Sequence, residues 1–305
     1  EKAFTIQPEV QQRFELKIQE SDEFLQMINV IGVDQMRGEC LSVGVSGPGA
    51  KRTDTSKNDR QASDVSTLEA MRYECVSTEF DSCLTWAKMD AWANLPDFQL
   101  KVNAAIVRQH GLDRLSIGFN GTHAATETSL VENPELQDVN KGWLQLYREH
   151  APARVVSEGD KAPGELRVGP GGDYENLDAM IFDAVNELID PWHRDSPDLK
   201  VIAGRNLLPV KYFDMAQEHG STPSEMLALQ NSMMGNARFG TVQPIRVGPM
   251  PEGKLFITMP QNLSIYWQRG SRRRYLIDNP KRNRVEDYQS SNDAYIVEDF
   301  GAGCL

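Results

Sequence analysis

The sequence lacks the features that would place it in a membrane or in a disulfide-rich secreted protein. Its 305 residues contain no run of eighteen apolar residues, so no segment is predicted to be a transmembrane helix. The four cysteines form no C-x-x-C pair and match no zinc-ligand spacing. Buried thiols in a reducing, cytoplasmic setting are therefore expected.

Catalytic signatures are also scarce. Only five histidines occur, and no two lie within four residues of each other, which argues against a metal site. His193-Arg194-Asp195 is similar to the start of a kinase catalytic loop, but the downstream Asn, the Gly-rich loop and the D-F-G segment are missing. Residues 169–172 are Gly-Pro-Gly-Gly without the G-K-[ST] ending of a phosphate loop. No catalytic, cofactor or metal-binding residue is predicted.

Positive charge is limited, because the net charge is −12 and the pI is near 5. This balance argues against a dedicated nucleic-acid-binding protein. One short basic segment is the exception, with Arg269, Arg272, Arg273 and Arg274 followed by a second group at 281–284. A solvated hairpin tip, a surface that pairs with acidic residues of a neighbouring subunit, and a phosphate contact all remain open. The four arginines are the candidate intersubunit contact.

A helical pattern dominates the centre of the chain. Asn94 is a suitable cap and Pro96 suits a first helical turn, and apolar or small residues follow at helical spacing up to Asn120-Gly121. The pattern predicts a helix over 95–119, of roughly six or seven turns. No group on it has catalytic chemistry.

Before this helix, residues 1–29 have the mixed apolar and charged pattern of an amphipathic arm. Strand-like alternation at 41–45 and again at 71–75 encloses a polar stretch, 47–70, with hardly an apolar residue. The pattern predicts a long hairpin. A connection of this length without a core of its own is either disordered or contacts a partner.

After the central helix, Asp173 is predicted to cap a helix that runs to Ile189. Further helices are predicted at 206–217 and 223–230. Strands are predicted at 166–168, 199–203, 243–247, 255–258, 263–267, 274–277 and 294–297. This order indicates a compact α/β or α+β unit that ends in a β-rich segment.

Several stretches closely resemble the major capsid protein of Peduovirus-type (P-two-like) tailed bacteriophages. The matching stretches are Asp97-Phe98-Gln99-Leu100, Gly118-Phe119-Asn120-Gly121, Leu136-Gln137-Asp138-Val139, Gly142-Trp143-Leu144-Gln145, Ala151-Pro152-Ala153-Arg154-Val155, Gly171-Gly172-Asp173-Tyr174, Asn262-Leu263-Ser264-Ile265-Tyr266, Asn279-Pro280-Lys281, Arg284-Val285-Glu286, Val297-Glu298-Asp299 and Gly303-Cys304-Leu305. The resemblance covers nearly the whole chain and is weakest at 47–70.

The resemblance implies an α+β protein with the Hong Kong ninety-seven (HK97) capsid fold. Its implied parts are an N-terminal arm (1–37), an extended E-loop hairpin (38–88), a peripheral domain (89–135 and 261–305) with the spine helix 95–119, and an axial domain (136–260). Relatives are made longer at the N-terminus and trimmed by a phage protease, and they continue past Gly-Cys-Leu. The start at Glu1 agrees with such trimming, and a C-terminal tail is expected to be missing from this sequence.

The implied function is a non-enzymatic shell protein that self-assembles as hexamers and pentamers into an icosahedral head around phage double-stranded DNA. Implied partners are further copies of itself, an internal scaffolding protein, a maturation protease, a portal protein and DNA held without sequence-specific contact, with no membrane. Its expected location is the virion, after assembly in the host bacterial cytoplasm. Two alternatives remain, namely the shell of a cellular nanocompartment and a cytoplasmic α/β enzyme.

Overall fold

The computed structural model describes residues 4–5, 8–45, 50, 52–53, 66–92, 97–204, 207, 239 and 242–305. Its α-helices are α1 (Pro8–Glu20), α2 (Glu23–Met27), α3 (Trp86–Trp92), α4 (Phe98–Asn120), α5 (Trp143–His150) and α6 (Leu177–Leu188). Short 3-10 turns lie at Pro152–Arg154, Pro260–Asn262 and Phe300–Ala302.

The strands form three sheets. They are β1 (Phe4–Thr5), β2 (Asn29–Val33), β3 (Arg37–Val45), β4 (Ser66–Glu74), β5 (Val76–Glu79), β6 (Ser82–Thr85), β7 (Lys200–Ala203), β8 (Gln243–Arg246), β9 (Leu255–Thr258), β10 (Leu263–Gln268), β11 (Arg273–Asn279), β12 (Arg284–Val297) and β13 (Gly303–Cys304). The largest sheet has the order β1-β11-β12-β10-β2, and β5 and β6 also pair with β12. A second sheet has the order β13-β9-β7-β8, and β3 and β4 form a separate pair.

The long strand β12 organises the largest sheet. Its first half pairs with β11 and β6, and its last residues pair with β10, all antiparallel. The arm contributes β2, which runs parallel to β10. The largest sheet therefore combines strands of the N-terminal arm with strands from the C-terminal part of the chain.

The central helix differs from its prediction in two respects. It begins at Phe98, where Asp97 has a left-handed φ of 69° that interrupts helical continuation, and residues 93–96 lie outside the described part. Burial is confined to its C-terminal half, from His110 to Asn120. Leu100, near the other end, is 68% exposed. The C-terminal half of α4 therefore belongs to the core, and its N-terminal half lies outside the core.

The main core forms where the buried half of α4 meets α5. Phe119 and Tyr295 each make an edge-to-face contact with Trp143, with ring centroids 5.2 and 5.4 Å apart. Gly118 lies against the Trp143 ring, and a Cβ at this position would overlap that ring. Phe24 of α2 packs on Phe119 at 5.5 Å, so the arm shares this core.

The predicted elements of the second half that fall on described residues are present, with two corrections. Asn176, and not Asp173, caps α6, because its side chain accepts the Ala179 N–H at 2.8 Å. The Asp173 carboxylate instead accepts the backbone N–H groups of Lys161 and Arg167 inside the preceding loop. The strand predicted at 166–168 is reduced to one bridge, between Val168 and Tyr174. The helices predicted at 206–217 and 223–230 lie outside the described residues, apart from residue 207.

Candidate assembly surfaces

The β3–β4 hairpin is a separate two-stranded sheet, and its base, the end near Cys40 and Tyr73, packs against the largest sheet. Nine residue pairs connect its strands, from Arg37 opposite Glu74 to Val45 opposite Ser66. These pairs confirm the predicted strands, and the polar connection lies outside the described residues except at 50, 52 and 53. The exposed ion pairs Arg37–Glu74 and Arg72–Glu39 flank the base.

The base of the hairpin is fixed to the largest sheet by aromatic and polar contacts. Tyr73 packs edge-to-face on Tyr266 with the ring centroids 5.3 Å apart. The Cys40 thiol donates to Glu298 at 3.2 Å and lies 3.3 Å from the Tyr266 hydroxyl. Burial is the main reason that the pKa of Cys40 is raised, so this thiol is a donor and not a reactive thiolate.

The arm helix α1 is bound to its own subunit by a buried ion network. Arg114 of α4 and Arg272 both donate to the Glu15 carboxylate, which is 4% exposed. Arg114 also donates to both oxygens of Asp293 at 3.0 and 3.2 Å. The Arg272 guanidinium lies 4.1 Å from the centroid of the Phe14 ring. The arm helices α1 and α2 therefore pack on their own subunit, and Ile18, Phe24 and Leu25 belong to its main core.

The network controls the protonation of the groups inside it. Burial raises the pKa of Glu15, but attraction by Arg114 and Arg272 outweighs it and lowers the pKa overall. Burial also lowers the pKa of Arg114, and Asp293 and Glu15 reverse this so that the net shift is upward. Burial, and then the positive charges of Arg272 and Arg114, lower the pKa of His110 to about 4, although Asp287 and Glu15 oppose this. His110 is therefore neutral at pH 7.

The four candidate arginines have different environments. Arg272 is 1% exposed and bound to Glu15, so the structure corrects its assignment to the surface contact. Arg274 pairs with Asp287 at 2.7 Å, and Arg269 pairs with Asp34 at 3.3 Å, both with part of the side chain in solvent. Arg273 is exposed. The burial of Arg272 gave no signal in the sequence, because its partners Glu15 and Phe14 precede it by more than 250 positions and His110 by 162.

The side chains of the kinase-like motif, His193 and Arg194, have structural partners. His193 bonds to Asp299 at 3.1 Å, and Arg194 donates to the Ile189 carbonyl at 2.6 Å. An open cleft of about 1450 Å³ beside α6 is lined in part by Cys304, and burial is the main reason that the pKa of this thiol is raised to about 12.

Within the described ranges, no group of three or more His, Cys, Asp or Glu side chains could hold a metal ion. The helices described in the structure include none that is long and apolar enough to cross a bilayer.

Exposed apolar side chains mark further candidate contacts. Large ones occur at the tip of the loop after α4, on the projecting half of α4, on α6 and on β11. In the order of these locations, the side chains are Leu130 and Val131, Leu100, Phe182, and Leu276. The two-stranded β3–β4 sheet is the stronger indication of association, because such a hairpin is only marginally stable on its own.

Comparisons with known proteins agree with this interpretation. A family model described as phage major capsid protein, P2 family, matches residues 1–305. A protein of Escherichia phage P2 described as "Capsid proteins" is 44% identical over 310 residues, which cover 100% of this chain and 86% of that protein. The major capsid protein of Serratia phage KSP20 is 39% identical over 305 residues, covering 98% and 86%.

Solved structures show the same relationship. A chain of the satellite phage P4 procapsid including size determination (Sid) protein has a TM-score of 0.86 and 42% identity, covering 99% of this chain and 92% of that chain. A chain from the capsid of a native GTA particle has a TM-score of 0.55 with 13% identity, covering 93% and 88%. The second similarity concerns the fold alone.

Proposed function

Because the chain belongs to the P2 family of phage major capsid proteins, we propose that it builds an icosahedral head shell, as hexamers and pentamers, around phage double-stranded DNA. The family and the fold, which is HK97-like, identify the chain as a capsid shell protein of a tailed phage and a component of the virion. What we propose beyond this is the arrangement into hexamers and pentamers, the enclosed DNA and the other partners.

The observation that carries the proposal is the β3–β4 hairpin. Its base packs on Tyr266 and neighbouring residues, whereas the strands continue from there as a two-stranded sheet. A two-stranded hairpin is at best marginally stable in water on its own. An element of this kind is stabilised when it lies across a neighbouring subunit, and each copy then both gives and receives a hairpin. Many such contacts, each weak, add up to a stable shell.

The proposed division of the subunit is an arm (1–37), the E-loop hairpin (38–88), a peripheral domain (89–135 and 261–305) and an axial domain (136–260). The seven-stranded sheet and α4 support the peripheral part, and α6 with the β7–β8–β9 strands supports the axial part. Several strands cross these boundaries, and the arm strands β1 and β2 already belong to the seven-stranded sheet. β5 and β6 belong to the sheet of β12, and β13 pairs with β9.

The proposed partners are further copies of the chain, an internal scaffolding protein, a maturation protease, a portal protein and the packaged DNA. The net charge of −12 favours DNA that is enclosed without strong backbone binding, because the electrostatic attraction to phosphates depends on an excess of positive charge. We place assembly in the host bacterial cytoplasm. Arg269, Arg273 and Arg274 are the proposed intersubunit contact that remains after Arg272 is assigned to the subunit interior.

Electron microscopy of the purified chain, expressed with its scaffolding protein, tests the proposal. Closed shells are expected from the parent chain, and DNA recovered from shells filled in an infected host distinguishes a phage head from an enzyme-filled compartment. A variant that lacks residues 48–65 is expected to fold, since the deletion removes none of the core residues that the structure describes, but to form few or unstable shells. A persistent monomer or dimer of the parent would contradict the proposal.

A further inference from the structure

The loop after α4 presents two adjacent aliphatic side chains to solvent. Leu130 is 68% exposed and Val131 is 94% exposed. Scattered exposed apolar residues are normal on soluble proteins, whereas two such residues next to each other in one loop form a small apolar knob. We call residues 129–132 the tip.

The tip is rigidly supported from below. The buried Asp138 accepts the Ser129 N–H at 2.8 Å through its carboxylate and the Ala125 N–H at 2.8 Å through its carbonyl. The Asn133 N–H donates to the Ser129 carbonyl at 2.8 Å. Leu136 closes the loop with a left-handed φ of 63° and packs against the main core. A non-glycine residue in this conformation is strained, and such strain persists only where the surrounding structure maintains it. The knob is thus preorganised for contact.

The charge around the tip is negative. Glu127 lies just before it, Glu132 is its last residue, and both are exposed. The sequence from 122 to 140 contains no Lys or Arg. A receiving surface must therefore be apolar at its centre and basic beside it.

The β11–β12 turn and the strand before it carry exposed basic and apolar side chains, together with one exposed acidic residue, Asp278. Lys281 and Arg282 are exposed at the turn, and Leu276 of β11 is 58% exposed. In the part of the chain that the structure describes, ion pairs engage Arg274 and Arg284 on either side but not Lys281 or Arg282. We call Leu276, Lys281 and Arg282 the basic turn.

We propose that the tip of one subunit docks on the basic turn of a second copy of this chain. Both surfaces are exposed in the same subunit, so neither covers the other there. A contact between two different surfaces of identical chains is heterologous, and contacts of this type generate rings and extended lattices. The contact brings Glu127 and Glu132 to Lys281 and Arg282 and buries Leu130 and Val131 between them. This inference rests on the proposed function, because it requires a shell in which copies meet.

Charge reversal tests the contact. Glu127→Lys with Glu132→Lys places like charges together, which costs enough to lower the closed-shell yield by roughly tenfold or more. Lys281→Glu with Arg282→Glu is expected to do the same, and the combination of all four substitutions is expected to restore most of the yield. As a matched control, Glu20→Lys with Glu175→Lys adds the same charge at exposed positions elsewhere and is not expected to rescue the reversed basic turn. If the variant with all four substitutions lost as much shell yield as the two double variants together, the contact would be refuted.

A second pair of substitutions tests the knob without changing any charge. Leu130→Ser with Val131→Ser is expected to leave urea unfolding of the subunit unchanged and to lower shell yield by roughly tenfold, because only the assembled state buries these groups. Parent-like yield of this variant would refute the docking while the parent shells still supported the proposed function. Absence of shells from the parent would refute the proposed function and, with it, the contact.

Discussion

Replacement of Glu15 by Gln should destabilise the subunit more than any other single charge removal in the arm. Glu15 is 4% exposed and accepts hydrogen bonds from Arg114 and Arg272, which are themselves almost fully buried. The native network contains two arginines, Glu15 and Asp293, so its formal charge is zero. In the variant, one buried positive charge has no counter-ion, and the Gln amide group can direct an N–H toward a guanidinium.

The magnitude follows from the cost of breaking a buried ion pair. Removal of one partner typically costs about 3–5 kcal/mol, because the other charge stays buried and uncompensated. The total stability of a protein is typically about 5–15 kcal/mol, so the variant should lose a large part of it. Because the network excludes solvent, the loss should depend little on ionic strength.

The assay is urea unfolding of the unassembled subunit, followed by tryptophan fluorescence at low and high salt. Glu149→Gln is the matched control, because the Lys141–Glu149 pair at 2.8 Å is largely exposed and should contribute about 0–1 kcal/mol. If Glu15→Gln unfolded within about 1 kcal/mol of the parent, the arm would not be held by this network.

Three further outcomes are expected. The pKa of His110 is about 4 in the folded chain and 6.5 ordinarily, so the unfolded state binds more protons between these values. Stability should therefore fall as pH decreases from 6.5 toward 4, by about 3 kcal/mol, and His110→Gln, but not His123→Gln, should flatten this decline in acid unfolding curves. Gly118→Ala should cost about 1–3 kcal/mol in urea unfolding through overlap with Trp143, whereas Gly248→Ala, in open space, should cost little. Deletion of residues 48–65 should reduce shell yield in electron microscopy without preventing the subunit from folding, and a deleted chain that assembles as heat-stable shells would show that the hairpin is dispensable.

Local patterns in the sequence were sufficient to predict most elements. The alternation at 41–45 and 71–75 corresponds to β3 and β4, and helical spacing before Asn120-Gly121 corresponds to α4. These signals are readable because side-chain periods of 2.0 and 3.6 residues depend on neighbours within a few positions. The resemblance carried by longer stretches identified the family and the fold, which the comparisons confirm.

Contacts between distant residues could not be predicted in this way. Glu15 meets partners 99 and 257 positions away, so no local pattern separates the buried Arg272 from the exposed Arg273 beside it. The choice of cap at Asn176 over Asp173 was also decided by tertiary structure, since the preceding loop uses the Asp173 carboxylate for its own N–H groups. The sequence by itself determined where most of the helices and strands form and the family to which the chain belongs. Only the folded chain decided which charges are internal and which remain on the surface for a neighbour, because burial of a charge requires a counter-ion delivered by another part of the chain.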